Sequence, residues 1–154
     1  MEETIIRNVT RDDNIVKFII KNVEDVPGKA YNIFSVLAKN DICIDIILQV
    51  SGENNTKNIS FTTSGEYFEK TLDVLQNQLS NAYNLEFTKS VSKISIIGAG
   101  MMNQPGIAAM VFETMCDLNI EIQMASTSEM NISIIIDEAD SPKALRALRE
   151  KMCS

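Results

Sequence analysis

Pro27-Gly28-Lys29-Ala30-Tyr31-Asn32-Ile33-Phe34 and Pro105-Gly106-Ile107-Ala108-Ala109-Met110-Val111-Phe112 carry one pattern twice, 78 residues apart counted from Gly28 to Gly106. At that offset Pro27/Pro105, Ala30/Ala108, Phe34/Phe112, Ile42/Ile120 and Ile44/Ile122 are identical. Ile33/Val111 and Leu37/Met115 match in kind. The match runs from a Pro-Gly helix start through the helix and into the next strand-like segment, further than a chance likeness of two amphipathic helices would reach.

Around this repeat the chain alternates two periodicities. Gly28–Asn40 places Ala30, Ile33, Phe34, Leu37 and Ala38 on one helical face. Phe68, Leu72, Leu75 and Leu79 do the same in a second helix, and Ile107, Ala108, Val111, Phe112 and Met115 in a third. A fourth opens at Ser141-Pro142, read as an N-cap followed by proline at the first helical position, with Ala144, Leu145, Leu148 and Met152 inward. The intervening runs are rich in isoleucine, a β-branched residue suited to pleated surfaces. Ile94 and Ile96 flank Ser95, and Ile132, Ile134 and Ile136 alternate with Ser133 and Ile135. Ile15–Lys21, Ile42–Val50, Lys57–Thr63, Leu85–Lys89 and Glu121–Ser128 read as further strands, with Thr4–Thr10 a short extra one.

The order strand, helix, strand, strand, helix, strand is the split β-α-β pattern of ferredoxin-like domains, an antiparallel sheet with helices on one face. The second copy lacks its last strand before the chain ends, and Thr4–Thr10 is available to supply it. The expected fold is therefore α+β: two ferredoxin-like domains with the first inserted in the second. The expected bounds are residues 13–90 for one domain, and 1–12 plus 91–154 for the other.

Composition removes several kinds of chemistry. The chain has 154 residues, no histidine and a formal net charge of −7. Without histidine there is no Ser-His-Asp triad, Cys-His dyad or His-ligated zinc. The acidic balance, with aromatics at 6% and no tryptophan, argues against nucleic acid as a partner. No run approaches the ~20 apolar residues of a membrane span. Cys43, Cys116 and Cys153 form no C-x-x-C pair, which excludes a metal carrier of that type. An odd count without a secretory leader reads as reduced thiols in a cytoplasmic protein, with Cys43 and Cys116 expected in the core.

Ile97-Gly98-Ala99-Gly100 follows a strand, but Asn103 stands where a dinucleotide fingerprint needs its third glycine. A tight turn is the reading favoured there. The neighbouring carboxylates Asp12-Asp13, Glu24-Asp25 and Asp137-Glu138 do not converge, since adjacent strand residues face opposite sides. No nucleophile, base and oxyanion site come together, so catalysis by the chain alone is not expected. The turns Asp25-Val26-Pro27-Gly28 and Asn103-Gln104-Pro105-Gly106 each open a helix whose first N–H groups lack internal partners. They read either as plain helix starts or as sites for a small carboxylate, with Asp25 holding an ammonium group.

The run Ile94-Ser95-Ile96-Ile97-Gly98-Ala99-Gly100-Met101, then Pro105-Gly106-Ile107-Ala108, then Ser126-Thr127-Ser128-Glu129-Met130-Asn131-Ile132-Ser133 resembles the regulatory region of aspartate kinase, which carries two ACT domains. Asp25-Val26-Pro27-Gly28-Lys29-Ala30 with Asp41-Ile42-Cys43-Ile44-Asp45-Ile46-Ile47-Leu48-Gln49 resembles its first ACT domain. The larger kinase domain, with its ATP, magnesium and aspartate, is missing, so no cofactor is expected in this chain. The opening Met1-Glu2-Glu3 is similar to the start of small regulatory subunits, the alternative being an excised regulatory fragment.

The resemblance implies feedback inhibition by end-product threonine, lysine or both, bound at ACT–ACT interfaces. It also implies homodimerisation and partnership with a kinase domain or large subunit. Residue by residue, it assigns Asp25 to the effector ammonium and the backbone around Gly28 and Ala30 to its carboxylate. Gln49 becomes a side-chain contact, Ile44 and Asp45 a lysine-contacting position, and Glu121 and Ile122 backbone contacts. Where Glu121 stands the family commonly has Asn, and the extra negative charge favours a cationic ligand. Ser126, Thr127 and Ser128 are expected to shape a strand. Two other readings remain at this level: an amino-acid-sensing ACT module of another metabolic enzyme, and a ferredoxin-like binding domain.

Overall fold

The computed structural model describes residues 5–79, 83–99 and 106–152. Its elements are β1 (Ile5–Glu24), α1 (Lys29–Lys39), β2 (Ile47–Ser51), β3 (Thr56–Ser64), α2 (Phe68–Gln78), β4 (Asn84–Ala99), α3 (Gly106–Asp117), β5 (Met124–Thr127), β6 (Asn131–Asp137) and α4 (Ser141–Met152). Short 3-10 turns, Gly65–Tyr67 and Glu138–Asp140, lead into α2 and α4. The chain divides into two compact units: an inserted one, Asn14–Lys89, and a discontinuous one joining the residues up to Asp13 with those from Ser90 onward.

In the inserted unit the strand order is β2-β3-β1-β4, and in the discontinuous unit β1-β4-β6-β5. Each unit thus has the same order. The N-terminal half of β1 stands in the discontinuous unit where the first half of β4 stands in the inserted one. The pairings β1/β3, β2/β3, β4/β6 and β5/β6 are all antiparallel. The fold is ferredoxin-like α+β.

Each unit has its own core. Phe18 and Ile20 of β1, Ile59 and Phe61 of β3, Ile33 and Leu37 of α1 and Val74 of α2 are buried together. Ile94 and Ile96 of β4, Ile134 and Ile136 of β6, Val111 and Met115 of α3 and Leu148 of α4 form the other. At ~25 cal/mol per Å² such apolar burial is the main stabilising term of each unit.

The repeat extends to the helix ends. Asp41 and Asn119, equivalent at the 78-residue offset, both adopt left-handed backbone, at φ 58° and 56°. Ile42 N–H then donates to Leu37 O and Ile120 N–H to Met115 O. This is the 6→1 closure that satisfies the last helical carbonyls.

Several expectations change. Of the expected Thr4–Thr10 strand, Ile5–Thr10 forms one strand with Ile15–Lys21, Thr4 lying outside the described residues, and Leu85–Lys89 and Ile94–Ile96 likewise share one strand. Asp12 and Asp13 therefore sit within a strand. The Ile42–Val50 strand begins only at Ile47, and Glu121–Ser128 only at Met124. The lead-in residues are nonetheless tied down: Thr63 Oγ1 donates to Cys43 O, Ile46 N–H to Thr62 Oγ1, and Gln123 N–H to Ile135 O. Ser141 is not an N-cap. It is helical and 1% exposed, because the Glu138–Asp140 turn precedes it, and its hydroxyl donates to Glu138 O. Phe112, expected inward, is 48% exposed. Cys43 and Cys116 are exposed rather than buried: Cys43 lies in the α1–β2 loop, and on α3 Met115 takes the inward position beside Cys116. In the Ile97–Gly100 segment Gly98 N–H still donates to Met130 O, so the strand runs on through it. Gly100, the turn Asn103-Gln104-Pro105, the opening Met1-Glu2-Glu3 and Cys153 lie outside the described residues.

Candidate functional site

Asp25, Gly28 and Ala30 share the turn that leads from β1 into α1. Proline at 27 fixes one φ, and Gly28 takes φ 98°, a conformation that costs little only for glycine. No side chain caps α1, and a Cβ on Gly28 would meet nothing within 4 Å. The first turn of α1 is therefore approachable from outside, with the positive end of the helix dipole behind it.

Asp25 is anchored twice. Its N–H donates to Asn55 O at 2.8 Å, and its carboxylate lies 3.7 Å from Lys57 Nζ. Lys57 is 14% exposed and Asp25 48% at the side chain. Lys57 was missed from the sequence; it sits opposite Val23 in the β1/β3 register, a placement that no local spacing discloses.

Ile44 and Asp45 lie in the α1–β2 loop. Ile44 packs half-buried against the inserted core, and Asp45 N–H donates to Thr62 O at 2.9 Å. Gln49 is exposed on β2, opposite Ile59. Six of the eight expected site residues thus fall on the inserted unit.

The other two, Glu121 and Ile122, fall on the discontinuous unit in the equivalent α3–β5 loop. They line an open cleft of about 570 Å³ together with Phe112, Cys116, Asn119 and Ile120. Among the described residues Glu121 is its only formally charged wall. The exposed Phe112 becomes intelligible as a side of this cleft. Asn119 was not singled out from the sequence and Cys116 was expected in the core, although the repeat sets both near Ile120.

Two smaller arrangements flank these loops. Cys43 sits against Tyr67, whose hydroxyl is pushed above its ordinary value, first by charge interaction with Cys43 and then by hydrogen bonding to it. Ser128 Oγ accepts from Met130 and Asn131 N–H and so shapes the β5–β6 turn. Among the described residues no cluster of His, Cys, Asp and Glu can hold a metal, and no helix is long and apolar enough to cross a membrane.

Comparison with known proteins adds the family. An ACT domain model matches residues 94–152. A solved structure of aspartokinase alpha and beta subunits is 33% identical with a TM-score of 0.88, covering 97% of this chain and 99% of that one. The chain belongs to the aspartokinase family. The regulatory subunit of aspartate kinase from Thermus thermophilus, in its ligand-free form, is 27% identical over 94% of this chain, with a TM-score of 0.89. The aspartokinase of Corynebacterium glutamicum is 37% identical over 98% of the chain. The chain spans about 37% of the length of the curated aspartokinases it matches, and it corresponds to their regulatory, ACT-containing part.

Proposed function

We propose that the chain senses an end-product amino acid, threonine or lysine, and conveys its binding to an aspartokinase catalytic domain or large subunit. Aspartate phosphorylation, with its ATP and magnesium, belongs to that partner. The two units act as the two ACT domains, divided near residues 13 and 90, and the effector sits at ACT–ACT interfaces.

The observation that carries this reading is the uncapped first turn of α1 beside Asp25. Backbone donors and helix dipole suit an α-carboxylate, and the Asp25 carboxylate suits an α-ammonium. Asp45 and Gln49 on the same unit supply further polar contacts, and Glu121 lines the equivalent cleft of the discontinuous unit. Glu121 adds negative charge, which favours lysine over threonine at its cleft. Binding controls the enzyme only through a difference in affinity between active and inactive states, typically 1–3 kcal/mol.

Thermal melts with lysine, threonine, both together and control amino acids test this. A ligand at 100 times its dissociation constant adds about 2.7 kcal/mol, so a selective upward shift is expected with one or both effectors. No shift with any amino acid would overturn sensing by this chain alone.

A further inference from the structure

The arginines of this chain are unevenly placed. The sequence has four, in a protein of net charge −7. Three of them, Arg11, Arg146 and Arg149, line one cleft of about 390 Å³ on the discontinuous unit, between β1 and α4. Pro142 and Leu145 form its apolar wall, and Glu150 sets one carboxylate at the rim. Nothing in the proposed effector chemistry uses this cleft.

Two of the three guanidinium groups are held in place. Arg149 donates through Nε and Nη2 to Val9 O, at 3.1 and 2.9 Å. Arg11 donates through Nε to Asp13 Oδ2 at 3.0 Å, with Nη2 at 2.8 Å from the same oxygen. Asp13 is further engaged by the Ser92 hydroxyl. Among the described residues, Nη1 and the second Nη2 proton of each of these arginines have no partner. Arg146 is exposed and has no ion pair among the described residues. Two immobilised forks and one free fork around a single small volume form a prearranged set of donors, which lowers the entropic cost of capturing an anion.

We propose that this cleft is an oxyanion site that takes the phosphate group of a small molecule. A carboxylate has two oxygens and is satisfied by one fork, whereas a terminal phosphate presents three and matches several arginines at once. The Pro142–Leu145 wall gives an attached organic group an apolar surface to lie on. Free phosphate and a nucleotide share the recognised chemistry, and they differ in whether that wall contributes.

The test is a titration of the whole chain with pyrophosphate, ATP and citrate, read by amide chemical shifts and by calorimetry. Saturable shifts centred on Leu145–Glu150 and Arg11 are expected with pyrophosphate and ATP, weakening as salt rises. Tighter binding of ATP than of pyrophosphate identifies a nucleotide; equal binding identifies the phosphate alone. Arg146→Gln should weaken binding about tenfold, with the melting temperature of the free protein and its response to amino acids unchanged. Shifts scattered over the surface, binding that survives Arg146→Gln, or citrate binding as tightly as pyrophosphate would each overturn the site.

Discussion

Asp25 is already paired with Lys57 before any ligand arrives, at 3.7 Å and half open to water. The pairing is loose and its Asp25 end is half exposed, so it contributes ~0–1 kcal/mol, and an ammonium group can approach the carboxylate from its open side. Asp25→Ala is therefore expected to leave the melting temperature of the free protein nearly unchanged while abolishing the shift produced by threonine or lysine; an undiminished shift would remove Asp25 from the site. A second residue-level expectation concerns Thr71, buried in α2 with its Oγ1 lacking any partner among the described residues. Thr71→Val exchanges that hydroxyl for a methyl of similar size and should stabilise by about 1 kcal/mol in urea unfolding. At this scale the sequence was informative where a residue acts through its own backbone, as Gly28 does. It was blind to Lys57 and to the arginine cleft, since both depend on register between distant segments.

Among the elements, the helices were legible to within a residue or two, because three- and four-residue spacing of apolar side chains marks one face. The strands were less so. The segments read as two strands on either side of Asp12-Asp13 are one, β1, in which the Asp13 carboxylate accepts from the Ser92 hydroxyl of β4 and pairs with Arg11. Those partners hold the Asp13 carboxyl below its ordinary value of 3.8, chiefly through the Ser92 hydroxyl and against some desolvation. A lowered carboxyl binds its proton more weakly in the folded state than in the unfolded one. Its contribution is present above the unfolded value and is lost as pH falls through the folded one. Stability measured by denaturant midpoint should thus decline on acidification below about pH 4, and Asp13→Asn should flatten that part of the curve. If both proteins decline alike, Asp13 is not the group responsible.

At the scale of the whole molecule, the repeat made both cores foreseeable, while the edges were visible only in the structure. All five residues of β2 are exposed, Ile47, Leu48 and Val50 among them, and β2 ends the strand order of its unit. Unpaired edges of this sort invite another copy. Sedimentation equilibrium at micromolar concentration is expected to give a dimer, and Val50→Lys to shift it toward monomer with an unchanged melting temperature. A wild-type protein that is strictly monomeric, with and without lysine or threonine, would count against dimerisation.

The division of the chain also orders its birth. Everything the inserted unit requires has emerged from the ribosome shortly after Lys89, whereas the Asp13–Ser92 contact closes a separation of 79 residues and the other core waits for Leu148. At about 5–20 residues per second, the first half of β1 spends several seconds as an unpartnered strand. The inserted unit would fold in that interval and hold the two ends of the discontinuous unit together, so that its late closure costs far less chain entropy than an open 79-residue loop would demand.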